Sequence, residues 1–554
     1  MPDSAKLGRR DGAGTLVAVD PPLARRPFLL GVAGVTAAVA GLLLSRLHAW
    51  PPHEDETLAL FIGQKPLGEM LDTVLGERGG APLHFLLAHG VAAVSPTLTG
   101  LRLLSVLFAV ASVPVVAILL ARLADRRTAI LATLLVAASW VTVFHGIYGR
   151  MYSLFLFTSA LSFLALLSAL DRQRLRDWAL WALAAYAVVA THQYAAFVLA
   201  IQVAAVLARR VRGRPVRSLS FAAALACVVV AGLPLWRSSL VLASRFDVGV
   251  GGGGGGGGAQ LGGPVPVLEY VRSALGDFVA GWTGLFAIVC ALAATGLVVL
   301  ARRRPEAALL AGLSVGVPAA GLAILSAGGS AGAPETRHLI FALPFFALAV
   351  ATGLTTLVRL AGGRAPTVLA LSLASLLAAE IAWGWRTTPT LYAGEPSTRR
   401  EAREEATAWL AATSRPGDVL FGYDPLFLGA REQGAPIGGT VVPRADPGLA
   451  LDALLDAPKP LGRGVWVLDA SDGSRIVGET SLRLEIDERS PGRAFEARAF
   501  GPFLVVRTLE PTRTPLAFLW DTLAVQRMGR ILWVTNAELN YETARVALAE
   551  LEAQ

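Results

Sequence analysis

Three consecutive acids, Glu54, Asp55 and Glu56, follow Trp50-Pro-Pro-His53 and lead into the apolar run Thr57-Leu-Ala-Leu60. They stand immediately after an apolar segment, 28–47, of bilayer-crossing length. No Arg or Lys lies beside them. Carboxylates held at a bilayer edge without a basic neighbour are costly to keep there, which points to a chemical use such as general-base catalysis. The structural alternative is that Asp55 or Glu56 caps the helix that follows, where a negative charge suits the helix dipole. Further stretches carry groups fit for chemistry: Gly79-Gly-Ala-Pro-Leu-His84, Tyr148-Gly-Arg-Met-Tyr-Ser153, Thr191-His-Gln-Tyr194 and Glu335-Thr-Arg-His338. A carboxylate with two arginines, Arg150 and Arg337, fits a reaction in which a base deprotonates an acceptor hydroxyl while Arg stabilises a departing phosphate. The planar guanidinium fork matches phosphate oxygens and stays charged at any working pH.

These residues are carried by a chain of 554 residues, 54% hydrophobic and 16% charged, against about 25% charged in a soluble domain. That composition belongs to a polytopic membrane protein. Apolar runs extend from about residue 27 to about 386, after which the composition turns soluble, so a membrane domain (27–386) and an aqueous domain (387–554) are expected behind an N-terminal tail (1–26). The net charge of +8 does not indicate nucleic acid, because the basic residues fall in short clusters between apolar runs, as topology signals do. Cys227 and Cys290 both lie in apolar runs and form neither a disulfide framework nor a CxxC site. The basic tail before the first span, without a small-residue cleavage site, reads as leading into a retained anchor.

About eleven spans are expected, near 27–47, 101–121, 128–145, 150–170, 178–192, 193–208, 218–237, 278–301, 307–327, 338–358 and 365–385. With a cytoplasmic N-terminus, the inside loops hold Arg122, Arg126 and Arg127; Arg172, Arg174 and Arg176; the five arginines between 209 and 217; Arg302 to Arg304; and Arg359 with Arg364. This agreement requires that Pro82 to Val94 not cross, so that stretch is predicted to lie along the outer surface or tuck into the bundle. The first external loop is then 48–100. All seven histidines fall in external loops or at outer helix ends, where function and simple tolerance of an interface are both open. In the loop 238–277, the run from Gly249 to Gly258 has no phosphate-loop context and reads either as a flexible linker or as a neutral expansion. Beyond Trp385 a small α/β module is predicted, with a helix from Thr398 to about Ala412 and strands at Val419 to Tyr423, Gly464 to Leu468, Leu482 to Ile486 and Phe503 to Val506. Helices near Asp446 to Leu455, Pro515 to Arg527 and Tyr541 to Leu551 complete it.

The ordered set resembles the GT-C-fold glycosyltransferases, which include protein O-mannosyltransferases and the aminoarabinose transferase of lipid A. It comprises an acidic pair in a long first external loop, Pro82-Leu83 with Leu87, Arg102-Leu-Leu-Ser105, Arg150-Met-Tyr-Ser-Leu154, His192 with Tyr194, and Arg337-His338 followed by Leu343-Pro344. The resemblance covers roughly 27–385. It implies a mainly α fold, a polytopic GT-C-like bundle with an extracytoplasmic α/β domain. It also implies a polyprenyl-phosphate sugar donor, an extracytoplasmic acceptor and an essential Asp of the first loop. A soluble nucleotide sugar is absent outside the cell, which agrees with a donor held in the membrane. Carried over, Asp55 is the base with Glu56 supporting it, Arg150 and Arg337 bind the donor phosphate, and His53, Glu54, Tyr152, His192 and His338 line the substrate. One carboxylate acting at the anomeric carbon implies single displacement with inversion.

Two departures bear on the site. Ile147, Tyr148 and Gly149 stand where members often carry an acid, and the acid before Asp55 leaves open which of Glu54 and Asp55 is the base. Bland uses stay open as well: Arg150 as a headgroup anchor, Arg337 and His338 as contacts of the C-terminal module, Lys65 as a snorkelling residue, and Arg102 paired with Asp72 of the surface helix. No cofactor is expected; a divalent cation on His53, Glu54 and Asp55 would need ligands from another loop. The rival function is a transporter or lipid flippase, which calls for ionisable residues in mid-span. Glu380 is the main acid there.

Overall fold

A computed structural model describes residues 24–78, 80, 82–246, 264–327, 336–391, 396–437, 439–444, 446–469, 482–486, 493–531 and 537–553. The glycine run, Glu335 and most of the N-terminal tail lie outside the described residues. Each apolar run folds as a helix because a chain in hydrocarbon must satisfy its own backbone hydrogen bonds. The first half holds α1 (Arg25–Ser45), α2 (Glu54–Gly63), α3 (Leu67–Asp72), α4 (Pro82–Val94), α5 (Leu98–Leu123), α6 (Arg126–Ala138), α7 (Trp140–Ile147), α8 (Tyr152–Arg172), α9 (Leu175–Thr191) and α10 (Ala195–Val211). The second holds α11 (Ser218–Ala231), α12 (Leu233–Phe246), α13 (Pro264–Phe278), α14 (Phe286–Arg303), α15 (Pro305–Ala327), α16 (Leu343–Val358) and α17 (Ala365–Leu391). Every predicted span coincides with one of these helices or with a bent pair. By length and composition, five of the described helices suffice to cross a membrane, and up to seven if each bent pair is one span. At 13 residues α4 is short for a crossing.

The ends of the bundle are chemically distinct. α5 begins at the acid-bearing segment and, at 26 residues, carries the chain about 39 Å to Arg122. There Arg122 pairs with Asp171 and donates to Ser168 Oγ at 2.6 Å. Glu306 takes both Arg209 (3.0 Å) and Arg214 (2.7 Å), and Gln173 Oε1 accepts the Arg217 N–H at 2.7 Å. Loops assigned to one side by their arginines thus meet at one end, and Asp55, Tyr148, His192 and His338 lie at the other.

The predicted span 128–145 is broken at Ser139, where α6 and α7 meet at 54°. The break frees donors at the start of α7, and buried Glu380 of α17 accepts the Trp140 N–H at 2.5 Å. The one prominent mid-span acid is therefore a helix cap supplied from a neighbour.

The C-terminal module comprises α18 (Pro396–Thr413), α19 (Pro425–Glu432), α20 (Pro447–Asp456), α21 (Pro515–Ile531) and α22 (Ala537–Ala553) around a six-stranded sheet. Its strands are β1 (Val419–Phe421), β2 (Val441–Val442), β3 (Gly464–Asp469), β4 (Leu482–Ile486), β5 (Arg493–Phe500) and β6 (Phe503–Thr508), ordered β2-β1-β3-β6-β5-β4. β2, β1 and β3 run parallel and the rest antiparallel. The sequence reading lacks β2, β5 and α19. The module sits directly on the acid-bearing segment: Leu60 and Ile62 of α2, Phe85 of α4, and Ala406, Leu420 and Phe427 of the module share one buried cluster.

Candidate active site

The acid run opens α2, and its cap is His53. His53 Nδ1 accepts the Asp55 N–H at 3.2 Å while Glu56 Oε2 accepts the His53 N–H at 3.1 Å, so two donors of the first turn are satisfied reciprocally. Successive residues of that turn point about 100° apart, and the three acids accordingly reach three different parts of the molecule.

Glu56 is fully buried against α5. Arg102 donates to it through Nε (2.9 Å) and Nη2 (2.8 Å), and the Gly149 N–H (2.7 Å) joins the His53 N–H as a further donor. The remaining Arg102 donors go to the main-chain oxygens of Leu47, Trp50 and Pro51. Expected pairing of Arg102 with Asp72 is thereby corrected: Asp72 is exposed, whereas Arg102 is 1% exposed and engages the acid run itself. Gly149 has no room for a side chain, since a Cβ would stand 2.9 Å from Leu101 and 3.1 Å from Glu56 Oε1. Glu54 turns the other way, to the C-terminal module, where it accepts the Tyr423 N–H at 3.3 Å and pairs with Arg444.

Asp55 faces the helix ends. The Tyr148 hydroxyl donates to its Oδ2 at 3.3 Å and lies 3.0 Å from His53 Nδ1. Burial first, and then the Asp55 charge, push the Tyr148 phenol well above its ordinary value, so it remains a neutral donor. Arg150 is 7% exposed, buried in protein where a headgroup anchor would face lipid. Its guanidinium makes one hydrogen bond, from Nη1 to the main-chain oxygen of Asp55 at 3.2 Å, and its Nε makes none among the described residues. Beyond Tyr148, Tyr152 stacks at 6.4 Å and carries the Arg337 guanidinium 5.4 Å above its ring. His338 packs on His192 and on Tyr194, both at 5.1 Å, and on Tyr152 at 5.8 Å, which places it among the membrane helices.

Of the residues singled out in the sequence, Asp55, His53, Arg150, Tyr152, His192, Arg337 and His338 come together, while Glu54 and Glu56 are directed away from that cluster. Among the described residues no three His, Cys, Asp or Glu side chains converge as metal ligands. What the arrangement can do is bind an anion on guanidinium groups beside a carboxylate, within an aromatic and imidazole wall.

The fold can be compared with solved structures. It matches ArnT from Cupriavidus metallidurans bound to undecaprenyl phosphate, at 14% identity and a TM-score of 0.50, over 87% of this chain and 98% of that one. The chain has the GT-C fold. Also similar are an oligosaccharyltransferase from Archaeoglobus fulgidus (13% identity, TM-score 0.47, 79% of this chain and 68% of that) and the arabinofuranosyltransferase AftD from Mycobacteria (17%, 0.48, 89% and 42%). No protein-family profile and no curated protein sequence matches.

Within this fold, three groups belong to the cluster that were not among the predicted site residues. Tyr148 holds Asp55; its place two residues before Arg150 was the available signal. His145 lies 4.7 Å from Tyr152, ring to ring. His84, at the start of α4, is 2% exposed, and burial followed by the charge of Arg150 pushes its imidazole down to about 3. It is neutral, and its Nε2 meets no partner among the described residues.

Proposed function

We propose that this protein is an integral membrane glycosyltransferase that moves a sugar from a polyprenyl-phosphate donor to an extracytoplasmic acceptor. The observation that carries the reading is the placement of Asp55 beside Arg150, a buried guanidinium that donates to the Asp55 main-chain oxygen at 3.2 Å. A buried cation is costly unless compensated, and a phosphate ester would share that compensation with the Asp55 charge. The GT-C fold supports the reaction class, and undecaprenyl phosphate in the similar ArnT structure supports the class of donor.

In this reading Asp55 takes the proton of the acceptor hydroxyl, Tyr148 orients it, and Arg150 with Arg337 receives the charge that grows on the departing phosphate. Glu56 supports the base by fixing the first turn of α2. Tyr152, His192 and His338 line the donor, His53 holds the turn and the phenol, and Glu54 acts from the side of the C-terminal module. A single carboxylate at the reacting carbon calls for inversion, and the scheme needs no cofactor. In this reading the chain has about eleven spans, a cytoplasmic tail at 1–26 and an extracytoplasmic module at 387–554, so that the arginine-rich end faces inward and the Asp55 cluster outward.

The test is transfer of labelled sugar from polyprenyl-phosphate donors by the purified protein and by Asp55→Asn, with folding checked in parallel. Loss of transfer in a folded Asp55→Asn supports the reading. Wild-type transfer by that variant removes Asp55 as base, and no transfer by the wild type with any donor favours a flippase.

A further inference from the structure

The C-terminal module reaches the acid run through an ion pair. Glu54 Oε2 pairs with Arg444 Nη2, and Glu54 Oε1 accepts the Tyr423 N–H at 3.3 Å. Arg444 is itself braced. Its stem crosses Gly422, where φ is +88° and a Cβ would stand 3.0 Å from Arg444 Cδ, and its main-chain oxygen accepts from Thr543 of α22. Other contacts also hold the module on the bundle. Arg431 lies 4.6 Å over the Phe61 ring, the Leu98 N–H donates to Glu432 at 3.4 Å, and the shared apolar cluster is large.

Helix first turns fray readily because their N–H groups lack intrahelical partners. Here the turn is pinned on both flanks of Asp55: Glu56 to α5 through Arg102, and Glu54 to the module through Arg444. We propose that Arg444 is a positioning residue for the reaction, acting through Glu54 to hold the turn from which Asp55 faces Tyr148 and Arg150. The inference rests on Asp55 being the base. It assigns the C-terminal module a part in completing the catalytic geometry.

A misplacement of about 1 Å at a reacting group costs about 100-fold in rate. Arg444→Ala in the full chain is therefore expected to lower kcat by about 10- to 100-fold with the donor KM held within about twofold. Glu54→Gln should produce a similar loss, the double variant no further loss, and Arg444→Lys a partial recovery. Additive losses in the double variant, or a wild-type kcat in folded Arg444→Ala, would overturn the proposal. Should Arg444→Ala fail to fold, Glu54→Gln decides alone, since it discharges the pair while keeping the shape and the acceptor for Tyr423; wild-type kcat there overturns it. Asp55→Asn is measured alongside. Full transfer by that variant brings down the base and the positioning role together, whereas an inactive Asp55→Asn with a fully active Arg444→Ala brings down only the positioning role.

Discussion

At Arg102 a guanidinium with 1% exposure directs its donors to Glu56 and to the main-chain oxygens of Leu47, Trp50 and Pro51. Breaking such a buried pair from one side leaves a charge without compensation. Arg102→Ala is expected to cost about 3–5 kcal/mol, read as a lowered unfolding midpoint in detergent, and Arg102→Met combined with Glu56→Leu should cost less than either single change. Tyr148 supplies a pH signature. Its phenol titrates well above the ordinary value because of burial and then the Asp55 charge. A folded value raised over an unfolded value of about 10 means a contribution present below about pH 10 and lost as pH rises through the folded value. Between pH 9 and 11 the unfolding midpoint of the wild type should therefore fall more steeply than that of Tyr148→Phe. Equal slopes would show that the phenol is not held neutral by this environment.

Among the elements, α14 and α16 approach most closely at two glycines. A Cβ on Gly296 would stand 1.8 Å from the Ala349 oxygen, and one on Gly353 would stand 1.9 Å from the Leu292 oxygen. Small residues let helix backbones meet in a membrane, and α16 follows directly on the turn that carries Arg337 and His338. Gly353→Ala should force the helices apart at a cost of about 1–3 kcal/mol. Gly312→Ala, where nothing stands within 4 Å, is the control, and comparable unfolding midpoints for the two would refute the tight contact. Elements of this kind were legible wherever an uninterrupted apolar run made them, which is why every predicted span meets a helix. β5 was not, although Phe495 and Ala497 are buried in alternation with Glu496 and Arg498; its charges resemble a loop unless read with period two. β2 is two residues long and has no pattern to read. α19 did announce itself through Asp424-Pro425, since Asp424 accepts the Leu426 N–H at 2.9 Å.

For the whole molecule, arginine placement sorted the loops to one end and the histidines to the other, because charge at a helix end is a local property of sequence. The allocation of the three acids is not local. Glu56 meets Arg102 across 46 residues and Glu54 meets Arg444 across 390, and neither separation leaves a periodicity to detect. Sequence could single out the acid run as a candidate for chemistry; only the packing separates the acid facing the helix ends from the two bound to α5 and to the C-terminal module. The long separation also orders events during synthesis. Asp55 is made after the first apolar helix and before the rest of the bundle, yet Arg444, the partner of the Glu54 beside it, emerges nearly four hundred residues later. A chain still on the ribosome can thus tie the acid run to α5 through Glu56 and Arg102, while the tie of Glu54 to Arg444 waits for the C-terminal module.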